Sequence, residues 1–346
     1  MANYADSVWS AAQYKLSEMM NKPEFKHKPS AALSVFLKNT NFLVPASERE
    51  RMWNQKSSDQ QTVSTYNLEK QTVALGSARA AAHTGAVGDS GKVDASYTTY
   101  SRTFKWSIKR SGLNVFDTAE MVAAQIRSAA IDLHAGIETA LMANLNTNKT
   151  QVVTSLTPQS GEWDAANFLF GILNADSDQY FQYLKTFMHE QYYGGTFDVI
   201  NNVRAQANAA FLGQQGAGNQ TNLGWQIDGM NMVASTGFAN ATGYDQMSYI
   251  LPEGSIGILP WIPKENRTGF GQTFQNGGSY GSIPDPLGSG LNFAIHQYAT
   301  GADNESAGSE TQDVDIQVEM SIDLAPLKAP MSTSNLTPII KAGLLS

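Results

Sequence analysis

The side chains able to do chemistry are few and scattered. Five histidines occur, at His27, His83, His134, His189 and His296, and none stands with another histidine or a carboxylate at the spacing a zinc site uses. His189-Glu190 lacks the second histidine that a metalloprotease helix carries. Asp176, Asp178 and Asp198 show no EF-hand spacing, and acids flank many loops of this chain, so neither a calcium loop nor an acid pair is indicated. Gly213-Gln-Gln-Gly-Ala-Gly218 follows a predicted helix where a phosphate loop follows a strand, and it lacks the Gly-Lys-Ser/Thr ending; it reads as a surface loop. Cysteine is absent, which removes disulfides, thiolate nucleophiles and sulfur-ligated metals together. No catalytic residue, cofactor or metal site is expected, and the chain does not read as an enzyme.

What remains is a binding or structural role, and charge is the first guide to it. The chain has 346 residues, 42% hydrophobic and 16% charged, enough for one large or two medium domains. No run of about 18 uncharged apolar residues occurs, so no membrane partner is expected. Residues 1–22 follow a helical pattern carrying Asp6, Lys15, Glu18 and Lys22, unlike a secretory signal. Six Asn-x-Ser/Thr triplets, beginning at Asn148, are what an Asn-, Ser- and Thr-rich chain produces by chance. The net charge of -8 is unevenly spread: residues 1–110 hold 15 of the 23 Lys and Arg and 9 of the 31 acids, a formal +6, leaving -14 for residues 111–346. A basic front and an acidic body attract one another, either within one chain or between copies. Lys15, Lys22, Lys26, Lys28 and Lys38 form a solvated basic face whose contact with nucleic acid, if made, is non-specific.

The elements that would carry these charges follow from periodicity. Trp9, Ala12, Leu16 and Met19 predict an amphipathic helix over 4–20, ended by Pro23 and Pro29. Residues 39–59 mix Pro45, the cluster Glu48-Arg49-Glu50-Arg51 and Trp53 without a period, and read as an extended arm. Residues 62–109 read as a two-stranded excursion with a glycine-rich tip at 76–91. Its returning limb alternates Tyr100, Arg102, Phe104, Trp106 and Ile108 against Ser101, Thr103, Lys105, Ser107 and Lys109. Asp117 with Glu120 opens a helix of about 30 residues, roughly 45 Å, whose apolar stripe is Val122, Ile126, Ala130, Leu133, Ile137, Leu141 and Leu145.

Beyond it, residues 151–195 suggest a strand or turn and then an aromatic-rich helix containing Phe168, Phe170, Tyr180, Phe181, Tyr183 and Phe187, followed by a buried strand at 196–200 and a helix capped by Asn202. Strands around 225–233 and 247–261 follow, then a loop-heavy stretch over 263–312. Residues 314–324 alternate without error, Val314, Ile316, Val318, Met320, Ile322 and Leu324 against an acidic face, which predicts that this strand shares a sheet with residues 100–109.

Basic arm, long β excursion, spine helix, mixed lobe and closing strand, in that order, resemble the major capsid protein of tailed bacteriophages, the Hong Kong 97-type α+β fold. The resemblance is carried by Thr99–Arg110 leading through Asn114-Val115-Phe116-Asp117 into the spine helix, by Gly195-Thr196-Phe197-Asp198-Val199-Ile200, and by Pro252-Glu253-Gly254-Ser255-Ile256-Gly257. It implies an N-terminal arm at 1–58, an extended loop at 59–110, a peripheral domain at 111–185 closed by 305–346, and an axial domain at 186–304. It also implies pentamers and hexamers on an icosahedral lattice around double-stranded DNA. The implied partners are portal, scaffold or decoration proteins, and the implied location is the virion, assembled in host cytoplasm. Arm and loop would then lie across neighbouring subunits, placing Arg49, Arg51, Trp53, Arg79, Lys92, Lys105 and Lys109 at contacts between copies. Some relatives crosslink through a lysine in the loop where Lys92 stands, but nothing in the sequence identifies a partner for it. A helix so close to residue 1 leaves no room in this numbering for the long scaffolding segment of some relatives, so scaffolding is expected to be separate, unnecessary, or lost with a removed precursor. An encapsulin-like compartment shell shares the same resemblance, and a secreted β-rich adhesin or glycan-binding protein is the alternative from another class.

Overall fold

A computed structural model describes residues 2–22, 27–54, 63–68, 90–107, 115–150, 152, 161–191, 193–216, 226–227, 229–238, 240–267, 278–300, 315–328 and 337–346. The chain opens with α1 (Ala2–Asn21), α2 (Ala31–Leu43) and α3 (Ala46–Asn54), then β1 (Ser64–Leu68), β2 (Ser90–Asp94) and β3 (Thr98–Ser107). The spine α4 (Val115–Asn148) leads to the hairpin β4 (Gly161–Asp164) and β5 (Leu169–Ile172), then to α5 (Tyr180–Glu190), β6 (Phe197–Asn201) and α6 (Val203–Gly216). Eight strands complete the chain: β7 (Gln226–Ile227), β8 (Met230–Ala234), β9 (Tyr244–Pro252), β10 (Ile256–Trp261), β11 (Gly278–Pro284), β12 (Asn292–Thr300), β13 (Asp315–Lys328) and β14 (Ile340–Leu345).

The result is a mixed α+β architecture with two large sheets. The 34 residues of α4 span about 51 Å. Spacings of three and four turn Val122, Ile126, Leu133, Ile137 and Leu141 to one side, and all five are buried. Asp117 lies in the first turn, where its charge suits the helix dipole. Against α4 lie α1, through Val8, Trp9 and Ala12, and the inner face of the five-stranded sheet, through Trp106, Ile316, Val318, Met320 and Phe293.

In that sheet β13 pairs antiparallel with β3 over ten residues, Asp315↔Ser107 to Leu324↔Thr98. The sequence anticipated this pairing on grounds of charge, but the register gives another reason. Lys105 faces Gln317 and Thr103 faces Glu319, and the ion pair of Lys105 with Asp315 is diagonal, exposed and 3.4 Å long. Such a pair contributes about 0–1 kcal/mol. The inner row, Trp106↔Ile316, Phe104↔Val318 and Tyr100↔Ile322, is what water exclusion fixes. Arg102 on that row reaches Asp132 of α4 at 3.1 Å.

The seven-stranded sheet runs β4-β5-β14-β9-β6-β8-β7. One of its faces packs α5, with Tyr180, Phe181, Leu184 and Phe187 against Phe197, Val199, Ile340 and Ala342. Sheet membership cuts across the boundaries the resemblance implies. The strands at 256–300 join β3 and β13 in the five-stranded sheet, whereas the hairpin at 161–172 and the C-terminal strand join β6, β8 and β9.

Three readings of the sequence are corrected, and one strand it did not foresee is found. Residues 39–43 end one helix and 46–54 form another: Pro45 precedes the first turn of α3, its carbonyl accepting from the Glu48 and Arg49 amides, so the proline starts a helix and does not extend the chain. Phe168 and Phe170 belong to the β4–β5 hairpin rather than a helix. There the Asp164 carboxylate accepts from the amides of Ala166 and Asn167, and Phe168 takes a φ of 48°. The stretch over 263–312 holds the hairpin β11–β12, paired from Gly278↔Tyr298 to Pro284↔Asn292. The last six strand residues, β14, occupy the middle of a sheet.

Candidate assembly surface

The arm is not free; α2 and α3 are fixed at three points. At its N-terminus Ser30 caps the helix, its Oγ accepting from the Leu33 amide at 3.0 Å and donating to Glu138 of α4. The same Glu138 oxygen accepts from the Ala32 amide at 3.1 Å. A carboxylate from one helix thus completes the cap of another. Beside it His134 accepts the Ser30 amide on Nδ1 at 3.1 Å, which leaves Nε2–H to donate to Asp285 at 2.8 Å. Burial opposes the Asp285 charge, but hydrogen bonds from His134, Ser289 and Leu287 outweigh it and hold its carboxyl below the usual range. Serine, histidine and aspartate meet here, yet the Ser30 hydroxyl is committed to Glu138 and the imidazole to a backbone amide. The group is buried throughout, from 3% to 8% exposed, so no substrate reaches it. It is a structural clasp.

At mid-helix, Lys38 reaches Asp198 at 3.1 Å and also pairs with Glu253. Burial lowers the Lys38 pKa, but hydrogen bonds to Glu253 and Asp198 overcome that and raise it. Asn39 donates to Asp198 at 2.7 Å and accepts from the Gly254 amide at 2.7 Å. Two of the three sequence runs that carried the capsid resemblance, those around Asp198 and Glu253, therefore meet, and what they hold is the arm. Glycine is required there: a Cβ at Gly254, where φ is +82°, would lie 3.1 Å from Phe42 Cβ, and one at Gly257 would lie 3.1 Å from Thr40 Cα. Thr40 Oγ1 accepts from the Ile258 amide at 2.8 Å, joining α2 to β10.

The third point is α3. Met52 is buried, and Arg267 stands between the rings of Trp53 and Trp261, 4.7 and 4.0 Å from their centroids. Val63, Ala95 and Tyr97 bring the foot of the β1–β2 pair onto the same patch, and Thr65 donates to the Lys328 carbonyl at 2.8 Å.

The expected contact residues fall into three groups. Arg51 pairs with Glu48 one turn away, Trp53 is 39% exposed over Arg267, and Arg49 donates to Asn41 at 2.6 Å, so the arm residues already have partners within the chain. Lys92 pairs with Asp94 at 2.9 Å and Lys105 with Asp315, both at exposed sites. Arg79 and Lys109, like the tip at 76–89, lie outside the described residues.

Among the described residues no group of three metal-ligating side chains occurs, and no helix is long and apolar enough to cross a membrane. The sequence was expected to hold no G-x-S-x-G elbow, yet Gly277-Gly-Ser279-Tyr-Gly281 has that spacing. Ser279 lies inside β11 opposite Gln297, not at the strand-to-helix turn a nucleophile needs. Also missed were two exposed tyrosines on the outer face of the five-stranded sheet, Tyr298 and Tyr280, the latter stacked on His296 at 4.6 Å.

No family model and no curated protein matches the sequence. Solved structures do. A chain of Mycobacterium phage Cain matches at 9% identity over 92% of this chain and 90% of its own, with a TM-score of 0.50. The capsid of Cyanophage P-SCSP1u matches at 10% identity over 83% and 84%, with a TM-score of 0.44, and the capsid of an empty GTA particle at 11% over 92% and 91%, with a TM-score of 0.43. The chain has the fold of the phage Cain chain. That fold accounts for nearly all of its length.

Proposed function

We propose that this chain is the major capsid protein of a tailed bacteriophage, a structural protein that assembles as pentamers and hexamers into an icosahedral shell around double-stranded DNA. The observation that carries the reading is the fold shared with the phage Cain chain over nine-tenths of both chains. A long spine helix on one sheet and a second sheet beside it, bridged by an arm helix, form a scaffold with no catalytic constellation among its described residues. In this reading the five-stranded sheet with α4 is the peripheral domain and the seven-stranded sheet with α5 and α6 the axial domain. The pair β1–β2 is the base of the extended loop, and residues 1–58 remain the arm. Portal, scaffold or decoration proteins are the partners, DNA contact is non-specific, and assembly in host cytoplasm precedes the virion.

Negative-stain electron microscopy with light scattering on the purified chain, alone and co-expressed with its neighbouring genes, tests this. Closed shells or discrete pentamers and hexamers are expected; a monodisperse monomer under every condition refutes it. Tyr280 and Tyr298, 46% and 50% exposed on one sheet face, favour a second reading as a glycan-binding protein. That reading predicts such a monomer, retained on a sugar matrix.

A further inference from the structure

Between α2, α3, β10 and the turn joining β11 to β12 lies a cavity of about 340 Å³. Met52, Ile258 and Leu291 give it apolar walls, Trp53 and Trp261 aromatic ones, and Arg49 a cation; among the described residues no carboxylate lines it. Three donors at or beside it are buried with no hydrogen-bond partner among the described residues: Arg49 Nε, Trp261 Nε1 and Arg267 Nη2. Buried donors left unpaired are uncommon and destabilising. Among the described residues neither guanidinium makes an ion pair with a carboxylate, although the charge of Glu265 is felt at Arg267. Arg51, Arg102 and Arg204 each pair with a carboxylate. Arg49 instead donates to an amide oxygen of Asn41, and Arg267 to the carbonyls of Ile262 and Trp53 at 2.9 and 2.5 Å.

A site offering donors and positive charge with no acceptor, inside aromatic walls, is built for an anionic oxygen carried on an apolar stem. We propose that this cavity receives an aspartate or glutamate side chain from a second copy of the chain. The inference rests on the assembly reading above. A second copy is the natural source, because residues 111–346 carry a formal -14 while the arm belongs to a segment of +6. The narrow apolar walls suit a side chain flanked by other apolar residues, whereas a nucleic-acid backbone requires a broad exposed basic surface. Of α3 only Met52 is buried, and Trp53 near its end is 39% exposed, so the rim of the cavity faces outward.

Photo-crosslinking on otherwise native protein tests the proposal. With Trp53→p-benzoylphenylalanine at the cavity rim, irradiation of the assembled or oligomeric chain is expected to join residue 53 to an Asp- or Glu-containing peptide of another copy, identified by isotope-mixed mass spectrometry. Arg49→Gln is expected to raise the protein concentration needed for assembly about tenfold or more, the effect of one lost charge-assisted hydrogen bond, and Arg49→Lys to recover part of it. Crosslinks confined to the same chain or to nucleic acid, with Arg49→Gln assembling normally, overturn the site and leave the shell reading intact. A chain that is monomeric at every concentration overturns both. The crosslink result stands even where Arg49→Gln fails to fold.

Discussion

Lys341 sits in the central strand β14, 5% exposed, with its ammonium 5.8 Å from the Phe238 centroid and 5.5 Å from that of Tyr249. Burial, reinforced by the nearby charge of Lys149, brings its pKa down from 10.5 to about 8. At about 1.4 kcal/mol per pH unit, a charged Lys341 costs the folded state about 3 kcal/mol at pH 7. The two rings return about 1–2 kcal/mol of that. Lys341→Met keeps the stem's shape and removes the charge, so it is expected to stabilise the unassembled chain by about 1–2 kcal/mol at pH 7. The sign of the pH dependence follows from a depressed lysine. The folded state releases its proton near pH 8 and the unfolded chain near 10.5, so the penalty is constant below pH 8 and fades above it. Wild-type stability at this site therefore rises with pH, and the variant lacks that rise. Urea unfolding followed by tryptophan fluorescence at pH 7.0, 8.5 and 9.5 measures it. The upper limit avoids the buried tyrosines, of which Tyr97, raised to about 12 by burial, would pull the other way only where unfolded tyrosine ionises, above about pH 10. A destabilised Lys341→Met at pH 7, or wild-type and variant curves that stay parallel from pH 7 to 9.5, would refute the reasoning.

Further expectations concern the clasp and the core. His134→Ala strips partners from Asp285 and from the Ser30 amide and is expected to cost about 3–5 kcal/mol in denaturant unfolding. Because the Asp285 carboxyl is held below its unfolded value, its contribution is present above about pH 4 and lost as pH falls through the folded value; acid unfolding of His134→Ala should therefore be shallower than that of wild type. Gly257→Ala presses a methyl against Thr40 Cα and Leu43 Cδ1 and should cost about 1–3 kcal/mol, with faster proteolysis of the arm as the second readout. Ile137→Ala in the spine should lower stability by about 2–5 kcal/mol, against less than about 0.5 for Met121→Ala on its exposed side.

The spine and the β3–β13 pair were legible because both are long, amphipathic and strictly periodic; a single register satisfies each, and the wrong face would expose every apolar residue. The central position of β14 was not, since Ile-Lys-Ala-Gly-Leu-Leu has no alternation to read when both faces of a strand are covered. The arm misled for a different reason. Asn39, Thr40 and Asn41 are weak helix formers, and α2 exists because Glu138, Asp198 and Ile258, each more than 90 residues away, satisfy its cap and side chains. Tertiary partners of that kind leave no local signature. The motif residues Asp198, Glu253 and Gly254 were visible in sequence as a pattern, but the helix they hold was not. The cavity was equally hidden, because its donors come from α3, β10 and the turn after it.

One consequence bears on how copies would meet. Since α2 is clasped to α4, to β6 and to β10 within one chain, residues 27–54 do not hang free awaiting a neighbour. Their inner surfaces are spent, and what they offer outward is Phe42, 64% exposed at the end of α2, and the rim of Trp53. Across the molecule Phe116 at the start of the spine and Val203 and Phe211 on α6 are also exposed. Single exposed apolar residues are ordinary, and none of these builds an interface alone. A shell needs contacts that are individually weak and geometrically fixed, so that misplaced copies dissociate before the lattice closes. A rigid body with its arm latched supplies fixed geometry, because the angle between the two sheets is held by α2 and not left to a hinge. Loosening the clasp should then disturb the regularity of assemblies before it abolishes them, with Asn39→Ala giving heterogeneous particles at a protein concentration where wild type gives uniform ones.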